Sequence, residues 1–380
     1  MKKNTLKIVL AIAVSGLALS ANAALPSYTF TDLGTLGGTY SIGYESTAYG
    51  INTSGQVAGY SSTSSKTTYG AALWNDTKAI SIGSWGSTSV ATAINDSGQV
   101  AGYAYSYRYS ALHATVWNNY TATDLGTLGG TNSWATAINA SGQVVGGSYT
   151  AGNVAEHATL WNGTKITDLG TLGGTNSWAT AINESGQVAG YANTTGNAAS
   201  HATQCNGTVL TDLGTLGGSF SYANAINTSG QIVGHSSTAG DAAVHATLWN
   251  GTVLTDLGTL GGTFSAANAI NASGQVAGFS KTTGDVDRHA TLWNGSVLTD
   301  LNSFLDASTV SAGWVLNEAY GINDNGWIVG YASNSLLGIN SHAFLMSIAA
   351  VPEPDSYAMM LMGLGLIGFV ARRRKSTASN

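Results

Sequence analysis

Charge is what this sequence has least of. Only 8% of its 380 residues are Asp, Glu, Lys or Arg, against roughly a quarter in an ordinary soluble domain. Low charge combined with many aromatics excludes an intrinsically disordered chain, which stays open through high charge and few large apolar groups. Cysteine is almost missing as well. Cys205 stands alone, so no intrachain disulfide is available and the domain must be held by its own core. Outside the two terminal segments the only cations are Lys66, Lys78, Arg108, Lys165, Lys281 and Arg288. They face 17 Asp and Glu, a formal charge of −11. That balance leaves no basic face and argues against nucleic acid as a partner. Away from the ends no stretch sustains a 3.6-residue period, which argues against a helical domain.

The two ends carry addresses. Lys2, Lys3 and Lys7 precede an apolar run, Ile8 to Leu19, and a small-x-small site, Ala21-Asn22-Ala23. This is the pattern of a removable export signal, residues 1–23, cleaved between Ala23 and Ala24. At the other end Val351-Pro352-Glu353-Pro354 precedes an uncharged apolar run, 357–371, and then Arg372, Arg373, Arg374 and Lys375. Fifteen residues form a short transmembrane helix, marginal for ~30 Å of hydrocarbon. The basic cluster sets the cytoplasmic side, so the domain between, residues 24–350, faces outward. Segment 351–380 resembles the PEP-CTERM sorting signal of Gram-negative bacteria, although Ser376 to Asn380 extend past the basic cluster. The resemblance implies an exosortase as processing partner, transient residence in the inner membrane, cleavage near Pro-Glu-Pro, and delivery to the cell surface or extracellular polymer.

Between the ends the chain repeats itself. Asp124, Asp168, Asp212, Asp256 and Asp300 are 44 residues apart. An Ile-Asn-x-x-Gly element places its asparagine at Asn52, Asn95, Asn139, Asn183, Asn227, Asn271 and Asn323. His-Ala-Thr recurs at His113, His157, His201, His245 and His289, with His-Ala-Phe at His342. One unit reads as four short strands: Ala179 to Asn183, Gln187 to Tyr191, His201 to Cys205 and Thr208 to Leu213. Gly186 supplies the positive φ of the first turn, and Asn206-Gly207 marks a two-residue hairpin. Four strands in about 44 residues fit a β-propeller blade. Seven asparagine elements predict an all-β, seven-bladed propeller with the small-residue strand innermost. The last unit lacks a fourth strand and the chain starts with a spare one around Asp32, so the N-terminal strand is expected to close the ring.

These repeats resemble the HAF family of probable extracellular repeat proteins. The resemblance rests on His342-Ala343-Phe344, on the LGTLGG copies starting at Leu33, Leu125, Leu169, Leu213 and Leu257, and on the Ile-Asn-x-x-Gly turns. Five units carry His-Ala-Thr instead, and the first has Gly70 in place of the histidine. The family implies an extracellular repeat domain without known catalysis.

No cofactor or metal is expected. Six histidines at one repeat position invite a metal, but neighbours at that radius would lie on the order of 10 Å apart, while zinc holds its nitrogens at ~2.1 Å. Each histidine is therefore read as structural, bonded to a backbone or aspartate group of its own blade. LGTLGG lacks the Gly-Lys-Ser/Thr ending of a phosphate loop, and the Asn-Asp stretches near Asn95 and Asn323 lack calcium-loop spacing. Trp117, Trp161, Trp249 and Trp293 read as core, with Cys205 a drifted copy of that position. Trp134 and Trp178 are assigned to a loop where their rings offer a sugar-stacking surface, making extracellular polysaccharide a candidate partner. The expected function is a non-enzymatic binding or structural component of the cell surface or exopolysaccharide matrix. The rival is an extracellular carbohydrate-active enzyme with its site at one mouth of the channel. It would need unrepeated polar groups, and the irregular stretch around Asp306 and Glu318 shows no nucleophile–base set.

Overall fold

The computed structural model describes residues 28–38, 45–63, 68–83, 88–106, 110–207 and 209–348. The export segment with Ala23 and Ala24, and the sorting segment with the span 357–371, lie outside the described residues.

The unit read above forms four strands, Gly173–Ile182, Val188–Thr194, Ser200–Asn206 and Val209–Asp212, paired antiparallel in chain order. Gly186 has φ +79° and its N–H donates to the Asn183 carbonyl at 3.0 Å, closing the first turn. The first strand is longer than the sequence suggested. It begins at Gly173, which pairs with Thr194 at φ +92°. The glycine pair thus opens a strand rather than ending the previous unit. The second strand likewise runs on to Thr194. The connection to the third strand is then only a 3-10 turn, Thr195–Asn197, that Gly196 makes possible at φ 71°.

Among the described residues the same pattern gives seven four-stranded antiparallel sheets, two of them joined by a lone parallel bridge between Val244 and Phe264. One sheet is assembled from both ends of the chain. Trp314–Ile322, Ile328–Asn334 and Ile339–Ile348 supply three strands, and Tyr28–Gly34 adds the fourth against Ile339–Ile348. The one α-helix among the described residues, Ala307–Ser311, sits in the longer connection that precedes this sheet and is capped by Asp306.

Packing lies between sheets. Val145 and Ala158 of one unit meet Ala179, Ile182, Val188 and Cys205 of the next, and equivalent clusters recur from unit to unit. Trp117, Trp161, Trp249 and Trp293 are at most 2% exposed, and Cys205 fills the same position at 4%. Buried serines join neighbouring sheets where apolar packing would strand polar backbone. Ser177 Oγ accepts from Ala158 N–H at 2.9 Å and donates to the Gly170 carbonyl at 2.6 Å.

The asparagines link the first strands. Asn52 Nδ2 donates to the Asn95 carbonyl, Asn95 to Asn139, and so on through Asn183, Asn227, Asn271 and Asn323, at 3.0–3.3 Å. Asn323 then donates to the Asn52 carbonyl at 3.0 Å, so the belt returns to its start. Within each turn the side chain also holds its own Gln; Asn183 Nδ2 reaches Gln187 Oε1 at 2.9 Å. The asparagine ends of the first strands therefore gather around one cavity. The protein is all-β and built of four-stranded sheets in a propeller arrangement.

Candidate functional site

The first strands have two chemically different ends. At the asparagine end a cavity of about 210 Å³ is lined by the Ile of every unit and by all the belt asparagines except Asn139. Its rim carries Asp96, Glu184 and Asp324. Each carboxylate is occupied by a backbone N–H of the preceding unit: Thr53 to Asp96 at 2.9 Å, Ala140 to Glu184 at 3.0 Å, Ala272 to Asp324 at 2.8 Å. These acids stitch units together, and their exposed setting gives no metal cage. Among the described residues no three His, Cys, Asp or Glu side chains gather to hold an ion.

Toward the other end of the first strands lies an aromatic tract. Trp134 and Trp178 stand in the strands Gly129–Ile138 and Gly173–Ile182, not in the expected loop, because those strands start at the glycine pair. Their rings are 5.7 Å apart, with Tyr149 edge-on to Trp134 at 5.7 Å. Trp178 lies over Gly147, where a side chain would collide with it. Other units place Tyr60, Tyr103, Tyr191, His235, Phe279 or Tyr331 at that glycine's position in the second strand. The tract continues through Tyr191 and Tyr222 at 4.6 Å, Tyr222 and His235 at 5.2 Å, and Phe264 and Phe279 at 5.5 Å. In the first and last units Tyr69, Tyr60, Tyr49, Tyr320 and Tyr331 follow one another at 5.1–6.1 Å. Most of these rings are half-buried, and Phe279 is buried.

The tract is uncharged. Burial, reinforced by neighbouring tyrosines, pushes Tyr103 up to about 12, and burial with the nearby Tyr222 and Glu156 does the same for Tyr191. Their hydroxyls stay protonated donors. Burial lowers His235 to about 4, so its ring stays neutral.

One unrepeated ionic cluster interrupts the tract. Glu318 is 3% exposed, where other first strands carry Thr47, Val90, Trp134, Trp178, Tyr222 and Ala266. Burial pushes its carboxyl up, against the pull of Arg288 and the hydrogen bonds to it. It accepts from Asn268 Nδ2 at 2.8 Å, Tyr320 Oη at 2.9 Å and Arg288 Nη2 at 2.5 Å. Arg288 Cζ in turn lies 3.5 Å from the centre of the Phe279 ring. Three donors occupy both carboxylate oxygens, as a buried charge requires. Asp306, the other acid of this irregular stretch, caps the short helix through the Ser308 and Thr309 N–H groups.

The repeated histidines each meet an aspartate of the same sheet: His113–Asp124, His157–Asp168, His201–Asp212, His245–Asp256 and His289–Asp300 at 2.6–2.8 Å. The aspartate has a second task, accepting the N–H two residues on, as Asp212 does from Gly214 at 2.8 Å. In the first unit Gly70 and Ser81 replace both members, so the pair is absent as a pair. His201 and Asp212 are 23% and 41% exposed, which places their bond in the weak range. His201→Ala is expected to cost about 1 kcal/mol or less, read from a denaturant midpoint, and to leave the metal content of the purified protein unchanged. Loss of a stoichiometric metal in that variant would replace the structural role with a ligand role.

An all-β propeller with an aromatic tract along its first and second strands is the class that fold and site define. A model of the PEP-CTERM protein-sorting motif matches residues 350–375. The motif implies an exosortase-processed extracellular protein and points to export and anchoring at the Gram-negative cell envelope. No curated protein matches the sequence. Among solved structures the chain is similar to the β-propeller domain of the Trilobed protease from Pyrococcus furiosus, with 10% identity, TM-score 0.49, and coverage of 82% of this chain and all of that one. It is also similar to TolB from Acinetobacter baumannii, with 11% identity, TM-score 0.43, and coverage of 66% of this chain and 64% of that one. A third is Pyrococcus horikoshii acylaminoacyl peptidase, with 10% identity, TM-score 0.42, and coverage of 75% and 49%. The chain thus spans under two thirds of TolB and about half of the peptidase.

Proposed function

We propose that this chain is a non-enzymatic surface protein whose closed, seven-bladed propeller binds uncharged polysaccharide through the aromatic mouth. The export signal and the exosortase-processed tail deliver it to the cell surface or its polymer matrix, a route that the resemblance of the repeats to HAF proteins also favours. The carrying observation is the half-buried aromatic tract. Partly exposed rings and protonated hydroxyls suit the apolar face and hydroxyl rim of a pyranose. The domain's acidic balance disfavours anionic polymer. The rival enzyme reading rests on Glu318, the one unrepeated buried carboxylate of this mouth. Its oxygens are already filled by Asn268, Tyr320 and Arg288, which supports a bracing role.

The test is a polysaccharide-binding assay with domain 24–350. Trp134→Ala and Trp178→Ala should each weaken capture of a neutral glucan or galactan about tenfold, the equivalent of ~1.4 kcal/mol for a lost stacking ring. Capture of uronate polymers only, or none altered by either change, would remove the aromatic mouth as the site.

A further inference from the structure

Of the six paired histidines, one is held differently. His342 Nδ1 faces Asp32 at 3.0 Å and its Nε2 faces Glu45 Oε2 at 2.8 Å. A neutral imidazole has one N–H and one bare nitrogen. A ring with a carboxylate on each nitrogen satisfies both only as the doubly protonated cation. No other unit offers a second carboxylate there: Glu45 precedes the buried Ser46, and the residues before the equivalent serines are Thr88, Asn132, Asn176, Phe220 and Phe264. The three groups also come from the three segments that meet where the ends of the chain join. Asp32 lies in the N-terminal strand Tyr28–Gly34, His342 in the C-terminal strand Ile339–Ile348, and Glu45 just before the first strand of the next sheet, Ser46–Ile51. The Glu45 N–H also donates to the Ser341 carbonyl at 3.2 Å.

We propose that Asp32, His342 and Glu45 form a pH-set latch: the His342 cation clamps the N-terminal strand to its sheet, and loss of one proton lets that strand fray. Asp32 and Glu45 are the titratable groups recorded against the ring from the elements packed on it, and the Trp314 ring stands 6.0 Å away. Burial alone would lower the affinity of His342 for its proton. The hydrogen bonds and charges of Asp32 and Glu45 together outweigh burial, so the folded value is raised above the ordinary 6.5. A raised value means the clamp is fully present below the unfolded value and is lost as pH rises through the folded one.

Hydrogen exchange of the full-length exported protein, corrected for the intrinsic pH dependence of exchange, reads this directly. Protection of the Tyr28–Gly34 amides should fall roughly threefold or more between about pH 5.5 and about pH 8.5. Protection of the equivalent outer strand Val209–Asp212 should stay level. Glu45→Gln keeps the size of the side chain and removes the second carboxylate, so its Tyr28–Gly34 protection should be low and flat across that range. Should His342→Gln fail to fold, Glu45→Gln alone still decides. Level protection in the unaltered protein, or an identical fall in Glu45→Gln, would overturn the latch.

Discussion

Deleting Tyr28–Leu36 is expected to destabilise the domain by about 5 kcal/mol. Two side chains leave the core with it, Tyr28 at 6% and Leu33 at 2% exposure. Each contributes roughly 1.5–3 kcal/mol of burial. Leu33 packs with Val57 and Trp74 of the first unit and with Val329 and Ala343 of the last, while the Tyr28 ring meets Phe304 at a tilt, 4.9 Å between centres. The deletion also bares the paired edge of Ile339–Ile348 and leaves His342 facing Glu45 alone. At about 2 °C per kcal/mol for a large domain, the melting temperature should drop by about 10 °C. Removing Thr195–Asn197, an exposed turn with no buried side chain, is the comparison and should cost far less. Equal melting temperatures for the deletion and the intact protein would mean that the N-terminal strand does not hold the ring together.

Gly190→Ala is the point change expected to do most harm. Gly190 faces Ala179 across the first two strands, where the register slips between Ala179 and Ala181. That bulge turns the Trp178 carbonyl toward Gly190, and an added methyl would sit inside the oxygen's contact shell. The obstacle is backbone on a strand that is itself bonded to its neighbours, so it cannot swing aside. The cost is expected to be at least about 3 kcal/mol, the upper range of overpacking. Gly70→Ala is the control. The nearest atoms to its added methyl are 3.8 Å away, and alanine loses less backbone entropy than glycine on folding, so this variant should be neutral or slightly stabilised. Chemical denaturation of the two proteins side by side checks both signs.

The 44-residue period made equivalent positions visible, and with them the four strands, the turn glycines and the buried tryptophans before asparagine. It did not say what a repeated residue touches. Gly190 has copies in every unit, yet without the bulge in the facing strand its glycine looks like composition rather than necessity. The serine before Trp178 carries no signal of burial, yet Ser177 is buried because it satisfies two backbone groups, the Ala158 N–H of the preceding sheet and the Gly170 carbonyl of the connection. The aromatic mouth escaped for another reason. Its rings come from first and second strands of different units, and the residue type varies at each position: the second-strand position holds Tyr60, Tyr103, Tyr191 and Tyr331 but His235 and Phe279 elsewhere, and the facing first-strand position holds Trp134, Trp178 and Tyr222 but Thr47 and Val90 elsewhere. One signal was there to be read: Gly147 is the one small residue at a position otherwise aromatic, and Trp178 occupies the space it leaves. The histidine–aspartate pairing was foreshadowed by the joint loss of both partners in the first unit.

The sheet shared by the two ends of the chain also governs how the molecule would carry tension. Ile348 is the last residue of its strand, two positions before the matched sorting motif begins. Tyr28 is paired directly to it, and Ile328 is paired to Met346 on the other side. A pull on the tail therefore does not reach an outermost strand that could be unzipped one bond at a time. It enters a strand gripped from both sides, and the hydrogen bonds of two ladders must slide together before anything gives. The strand contributed by the start of the chain is thus also the one that keeps the tether from peeling the domain open.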